Sequence, residues 1–214
     1  MTAAEAGRDY SPEIAEQRLR DGFSQCHAAM PPAKVAVILH NGDTTHANDD
    51  RDVTVKSSHR LKVKGNHDTN IRIATRCIAW QIELALKKHE KVHLVVRKGN
   101  HDPNTPTPIN IAMEARYEDN PRVVIDASTS PFWVKRFGRV FLASHHGHGI
   151  KPPQLAHTIK DKFHAEYGKA DFAYLFTGHL HHEKVDTFGR LVWRQLPALG
   201  LMEQHGAEMG FVDT

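Results

Sequence analysis

Four apolar segments of this chain each stop at a polar turn that contains glycine, and that recurrence limits the folds open to it. The run "KVAVIL" (residues 34–39) leads into "HNGDTTH", and "VHLVV" (residues 92–96) leads into "RKGNHD". Further on, "RVFLAS" leads into "SHHGHG", and "DFAYLFT" into "GHLHH". Short β-branched runs without polar alternation belong to strands covered on both faces, as in parallel sheets. Ligands collect beyond the carboxyl ends of such strands, so turns distant in sequence can converge in space.

The segments between these strands carry helical signals. Ser11 and Pro12 make a capping hydroxyl followed by proline at the first helical position, and Ala15, Leu19, Phe23 and Cys26 recur at helical spacing until Pro31 and Pro32. Thr69 or Asn70 is expected to cap a second helix that buries Ile73, Cys77, Trp80 and Leu84. Thr107 and Pro108 are expected to open a third helix running to about Tyr117, and a fourth should span about residues 154–167. "RVVID" reads as a strand, while "FWVKRF" with "RVFLAS" around Gly138 and "EKVDTF" with "RLVWRQ" around Gly189 read as hairpins. The alternation predicts an α/β fold in one domain, residues 1–214.

Composition narrows the function classes. No apolar run approaches the roughly 18 residues of a membrane span, no apolar signal segment opens the chain, and two cysteines are too few for a disulfide framework. A cytoplasmic protein is expected. The formal charge of +3 comes without any block of five or six Lys or Arg, so charge names no nucleic-acid patch. Histidine stands out instead: six of the 17 lie in "SHHGHG" and "GHLHH", where neutral imidazoles are ready metal ligands.

The tetrapeptide Gly-Asn-His-Asp occurs twice, at residues 65–68 and 99–102. The second copy follows a strand, so Asn100, His101 and Asp102 are the expected site residues. The first follows the charged stretch "SSHRLKVK" and precedes a helix, so Asn66, His67 and Asp68 are expected to form a loop and helix cap.

The ordered set Gly-Asp, Gly-Asn-His-Asp, His-Gly-His and Gly-His-x-His resembles the calcineurin-like metallophosphoesterase superfamily, with motifs spread from Gly42 to His181. The resemblance implies a four-layer α-β-β-α sandwich with two metal ions, commonly Mn, Fe or Zn. It implies metal ligands at Asp43 (bridging), Asn100, His146, His179 and His181. It also implies that His101 contacts the phosphate and protonates the leaving oxygen, and that Asp102 orients it. The activity implied is hydrolysis of phosphate mono- or diesters, with a nucleotide or a nucleic-acid end as substrate; a catalytically impaired remnant that binds metal or phosphate without turnover is the alternative.

The superfamily also carries an Asp-x-His motif upstream of Gly-Asp, and no such tripeptide precedes Asp43. The sequence is therefore expected to lack the first strand and the C-terminal strands, to hold one metal ion well rather than two, and to be marginally stable or self-associating. His148 is a candidate for touching substrate or metal, His145 and His182 border expected ligands, and His46 either supports the site or caps a loop. His27, His40, His59, His89, His93, His157, His164 and His205 are expected to be solvated side chains, and Asp49 with Asp50 a solvated turn.

Overall fold

The computed structural model describes residues 11–55, 58, 60, 61 and 65–199. His59, His205, most of "SSHRLKVK" and the tail beyond Leu199 lie outside the described residues. The described chain is a mixed α/β protein with two sheets. The described residues up to Ala127, with Leu199, form one compact unit, and Ser128–Ala198 forms a second.

The first unit holds a parallel sheet of β1 (Val35–His40), β2 (Lys91–Val96) and β3 (Val123–Asp126), in that order. Helices α2 (His67–Leu86) and α3 (Pro106–Tyr117) make the crossovers that parallel neighbours require. Val92, Leu94, Val96, Ile78, Ile82, Ile109 and Met113 form its core. Full burial of each such side chain stabilises by roughly 1.5–3 kcal/mol. Helix α1 (Pro12–Ala29) begins as the sequence predicts, with the Ser11 hydroxyl accepting from the Ile14 N–H at 3.4 Å. Its last carbonyls are met by the Lys88 ammonium, which donates to His27, to Ala28 at 3.2 Å and to Met30 at 2.8 Å. Cys26, expected on its apolar face, is exposed, whereas Cys77 of α2 is buried.

Two helix starts differ from expectation. Helix α2 starts earlier, capped by Asn66, whose side chain accepts from the Thr69 N–H at 2.8 Å. Ile73 and Cys77 are buried as expected, together with Ala74, Ile78, Ile82 and Ala85, whereas Leu84 is half-buried and Trp80 packs half-buried against Phe23, ring centroids 5.8 Å apart. Helix α3 follows Thr105 and begins at Pro106, one Thr-Pro pair before the expected Thr107 and Pro108, with Pro106 in the first turn, where its missing N–H costs nothing.

The second unit holds a five-stranded sheet, ordered β4 (Trp133–Phe137), β5 (Val140–Ser144), β6 (Phe172–Thr177), β8 (Leu191–Gln195) and β7 (Lys184–Phe188). β5, β6 and β8 run parallel, while the two edge strands β4 and β7 are the antiparallel halves of the expected hairpins. Edge strand β7 is blunted by exposed Lys184 and Asp186. The expected fourth helix is two pieces, α4 (Pro152–Lys162) and α5 (His164–Gly168), broken where Phe163 leaves helical geometry. Phe141, Leu155, Ile159, Leu175, Leu191 and Trp193 fill the core, and the Trp193 indole N–H donates to the Thr177 hydroxyl at 2.8 Å. No described helix is long and apolar enough to cross a membrane.

Candidate functional site

In the first unit the turns after β1 and β2 are built together. His40 pairs in register with Val96, so the two parallel strands end level and release their turns at the same edge. Gly42 and Asp43 then take left-handed backbone, φ +94° and +55°. Asp43 presents its N–H to Asp102 Oδ1 at 3.0 Å, and its own Oδ1 accepts from the His101 N–H at 2.9 Å. Asp102 also accepts from the Gly99 N–H at 2.9 Å and the Thr45 N–H at 3.2 Å. The second Gly-Asn-His-Asp is thus the copy knitted to Asp43, with half-buried Asn100 set between two of its hydrogen-bonded residues. The first copy is the cap of α2, a contribution of about 1 kcal/mol.

Both oxygens of Asp102 are engaged by backbone N–H groups of Asp43, Thr45 and Gly99, so this carboxyl holds the two turns in shape. Burial, with Asp43 beside it, pushes its carboxyl up to about 7 against the opposing effect of those three donors. The His101 ring is oriented by His46: His101 Nδ1 lies 3.1 Å from the His46 carbonyl oxygen, and the two rings stack with centroids 5.3 Å apart. A carbonyl only accepts, so Nδ1 carries the proton and Nε2 is the nitrogen left to meet a ligand. Sequence reasoning left His46 open; its place three residues after Asp43 was the only signal.

The second unit repeats the device. Ser144 of β5 is in register with Phe176 of β6, and the pairing continues past the strands through His145 N–H to the Phe176 carbonyl at 3.2 Å and Gly178 N–H to the His146 carbonyl at 2.8 Å. The two His-containing turns therefore leave the sheet side by side. His179 and His181 stand in left-handed backbone, φ +72° and +57°. His146 is buried, and one of its ring nitrogens lies within 4.8 Å of one on His179. Their ring centroids are 5.3 Å apart. His181 is exposed, two residues on in the same turn.

His145 is a packing residue. Its ring lies against Phe132, centroids 5.2 Å apart, and Nδ1 accepts from the Gly147 N–H at 2.9 Å. Burial, then His148 and His146, pushes it down to about 4, so it is neutral across the ordinary pH range. His182 Nδ1 bonds the Leu180 carbonyl at 2.8 Å. Among the histidines expected to be solvated, His89 is buried with Nδ1 accepting from the Ala33 N–H at 3.2 Å, and His40 Nε2 bonds Gln81 at 2.7 Å. Both lie where a strand meets a helix, which single-residue polarity does not reveal. Asp49 holds Arg51 within its own turn, and Asp50 accepts from the N–H of His67, the first residue of α2, at 2.9 Å.

Each unit carries donors that suit a divalent ion of borderline softness: the first a carboxylate at Asp43 and an amide oxygen at Asn100, the second the imidazoles of His146 and His179, with ring nitrogens within 4.8 Å of one another.

No protein-family model and no curated protein matches the chain. Among solved structures it is similar to a conserved uncharacterized protein of Streptococcus pneumoniae, described as a predicted phosphoesterase, at 15% identity and a TM-score of 0.33, over 58% of this chain and 66% of that one. It is also similar to Vps29 of Entamoeba histolytica complexed with Zn2+, at 17% identity and a TM-score of 0.32, over 58% of this chain and 54% of that one. A single-mutant Vps29 of the same organism gives 17% identity and a TM-score of 0.34, over 59% and 56%. The chain spans between half and two thirds of the length of these structures.

Proposed function

We propose that the protein is a metal-dependent phosphoesterase acting on phosphate mono- or diesters of the nucleotide or nucleic-acid-end type. In this reading Asp43, Asn100, His146, His179 and His181 are metal ligands and His101 is the proton donor. The observation that carries it is backbone strain at these residues. Among the described residues five non-glycine residues have positive φ, and three of them are Asp43, His179 and His181. Left-handed backbone at a non-glycine residue costs on the order of 1–3 kcal/mol and is retained mostly where function over-determines the conformation. Asp and His adopt left-handed backbone more readily than most residues, so the support lies in three of the five coinciding with positions that the motif order selects.

The chemistry follows from the groups. A divalent ion, when bound, supplies activated water and neutralises charge on the phosphate oxygens. His101, its Nδ1–H tied to the His46 carbonyl, directs Nε2 outward. It protonates a leaving oxygen only as the imidazolium, because Nε2 of the neutral ring has no proton to give. Asp102 keeps the Asp43 and Gly99 turns in register.

The test is hydrolysis of bis(p-nitrophenyl) phosphate by the full chain with Mn2+ and with chelator. Nitrophenol release that needs the metal is expected. An equal rate in chelator, or no release from metal-saturated protein, would refute the reading.

A further inference from the structure

The turn after β5 carries the second imidazole of the His-Gly-His motif, His148, which the resemblance does not name as a metal ligand. His148 is exposed and stands between Gly147 and Gly149, both in left-handed backbone at φ +111° and +76°. A Cβ at Gly147 would lie 3.3 Å from the Gly178 carbonyl oxygen and 3.6 Å from the His179 Cβ, so glycine there lets the two turns close on one another. The His146 and His148 centroids lie 5.4 Å apart, those of His146 and His179 5.3 Å and those of His148 and His179 6.2 Å, inclined at 54°, 61° and 66°, while His148 also stacks on His145 at 6.0 Å.

Two of these separations are near those of coordinating imidazoles, and bringing all three ring nitrogens together takes a turn of the His148 side chain off the His145 ring. With metal–nitrogen bonds of about 2.0–2.1 Å and tetrahedral angles, imidazole centroids sit roughly 5 Å apart and the rings are inclined, not parallel. Two of the three pairs are close to that value, and rotation of the exposed His148 side chain shortens the third. His145 does not belong to this set, because its Nδ1 is held by the Gly147 N–H and its ring by Phe132.

We propose that His148 is a metal ligand, joining His146 and His179 in a three-imidazole set within Ser128–Ala198, and that it tilts metal choice toward Zn2+ or Co2+ and away from Mn2+. Imidazole suits zinc and cobalt, whereas manganese favours oxygen donors and stands lowest in the divalent affinity order. The proposal deepens the phosphoesterase reading by sharing His146 and His179, but it is read out by binding and stands apart from turnover.

The experiment titrates the full chain with Zn2+ and, separately, Mn2+ by calorimetric competition, and records the visible spectrum of the Co2+ form. His148→Ala is expected to weaken Zn2+ by about 10- to 100-fold, weaken Mn2+ by less than about threefold, and lower the Co2+ visible absorbance. His148→Gln should recover part of the loss, and His157→Ala, on the exposed face of α4, should match the parent. Zn2+ affinity within twofold of the parent with an unchanged Co2+ spectrum would overturn the proposal, including the outcome in which His148→Ala raises only the KM for substrate. Loss of Zn2+ affinity in a protein that hydrolyses nothing would sink the phosphoesterase reading and leave this one standing; retained affinity in an active enzyme would do the reverse.

Discussion

His101→Asn is expected to lower phosphodiester hydrolysis by about 10²- to 10⁴-fold, the range typical of a lost general acid, while metal affinity stays within about twofold. The separation of the two readouts follows from the turn. His101 reaches Asp43 through its backbone N–H, at 2.9 Å to Oδ1, and that bond survives any side-chain replacement. Its ring meets the His46 carbonyl through Nδ1 and stacks on the His46 ring, leaving Nε2 as the reactive nitrogen. Asparagine keeps a donor that can reach the carbonyl but has no titratable proton to deliver. Steady-state kinetics beside a metal titration check this, and a variant as fast as the parent would remove His101 from the role.

Gly99→Ala is the second large effect, and it acts through packing. A Cβ on Gly99 would lie 1.9 Å from Asp43 Oδ1, 2.3 Å from the Asp43 backbone nitrogen and 2.7 Å from its Cγ. The side chain of Asp43 can swing away, but its backbone nitrogen cannot, because it donates to Asp102 and sits in a left-handed turn. One turn must move, and the bonds from Asp43, Thr45 and Gly99 to Asp102 loosen together. Overpacking of this kind costs about 1–3 kcal/mol, occasionally more, which for a chain of this size lowers Tm by roughly 2–12 °C. Metal affinity should fall by at least about 100-fold, since a displaced Asp43 no longer presents its carboxylate. Gly168→Ala, where nothing lies within 4 Å, is the matched control. A Gly99→Ala protein with the parent's Tm and metal affinity would show that the two turns do not interlock.

The strands and the polar turns that end them were legible because a short apolar run followed by glycine is a local signal, and β1, β2, β5 and β6 carry it plainly. Choosing between the two Gly-Asn-His-Asp copies was possible for the same reason: only one follows such a run. Contacts between residues more than 50 positions apart left no local mark. The His46 carbonyl on His101, Asp102 tying Asp43 to Gly99, and His89 accepting from Ala33 all depend on which strands become neighbours. Asn66 was read as a helix cap while Thr69 or Asn70 was expected to cap the same helix, a conflict that propensity alone does not resolve, since all three residue types cap well. The break at Phe163 lies inside a stretch whose helical periodicity continues on both sides, so nothing local announces it.

The proposal beneath all of this is that Asp43 and the imidazoles of the His motifs are metal ligands. Calorimetric titration of Mn2+ into the full chain, into Asp43→Ala and into His179→Ala tests it most directly. The account predicts saturable binding in the parent and affinity at least about 10- to 100-fold weaker in each variant. Unchanged affinity in either variant, each still folded, would contradict it.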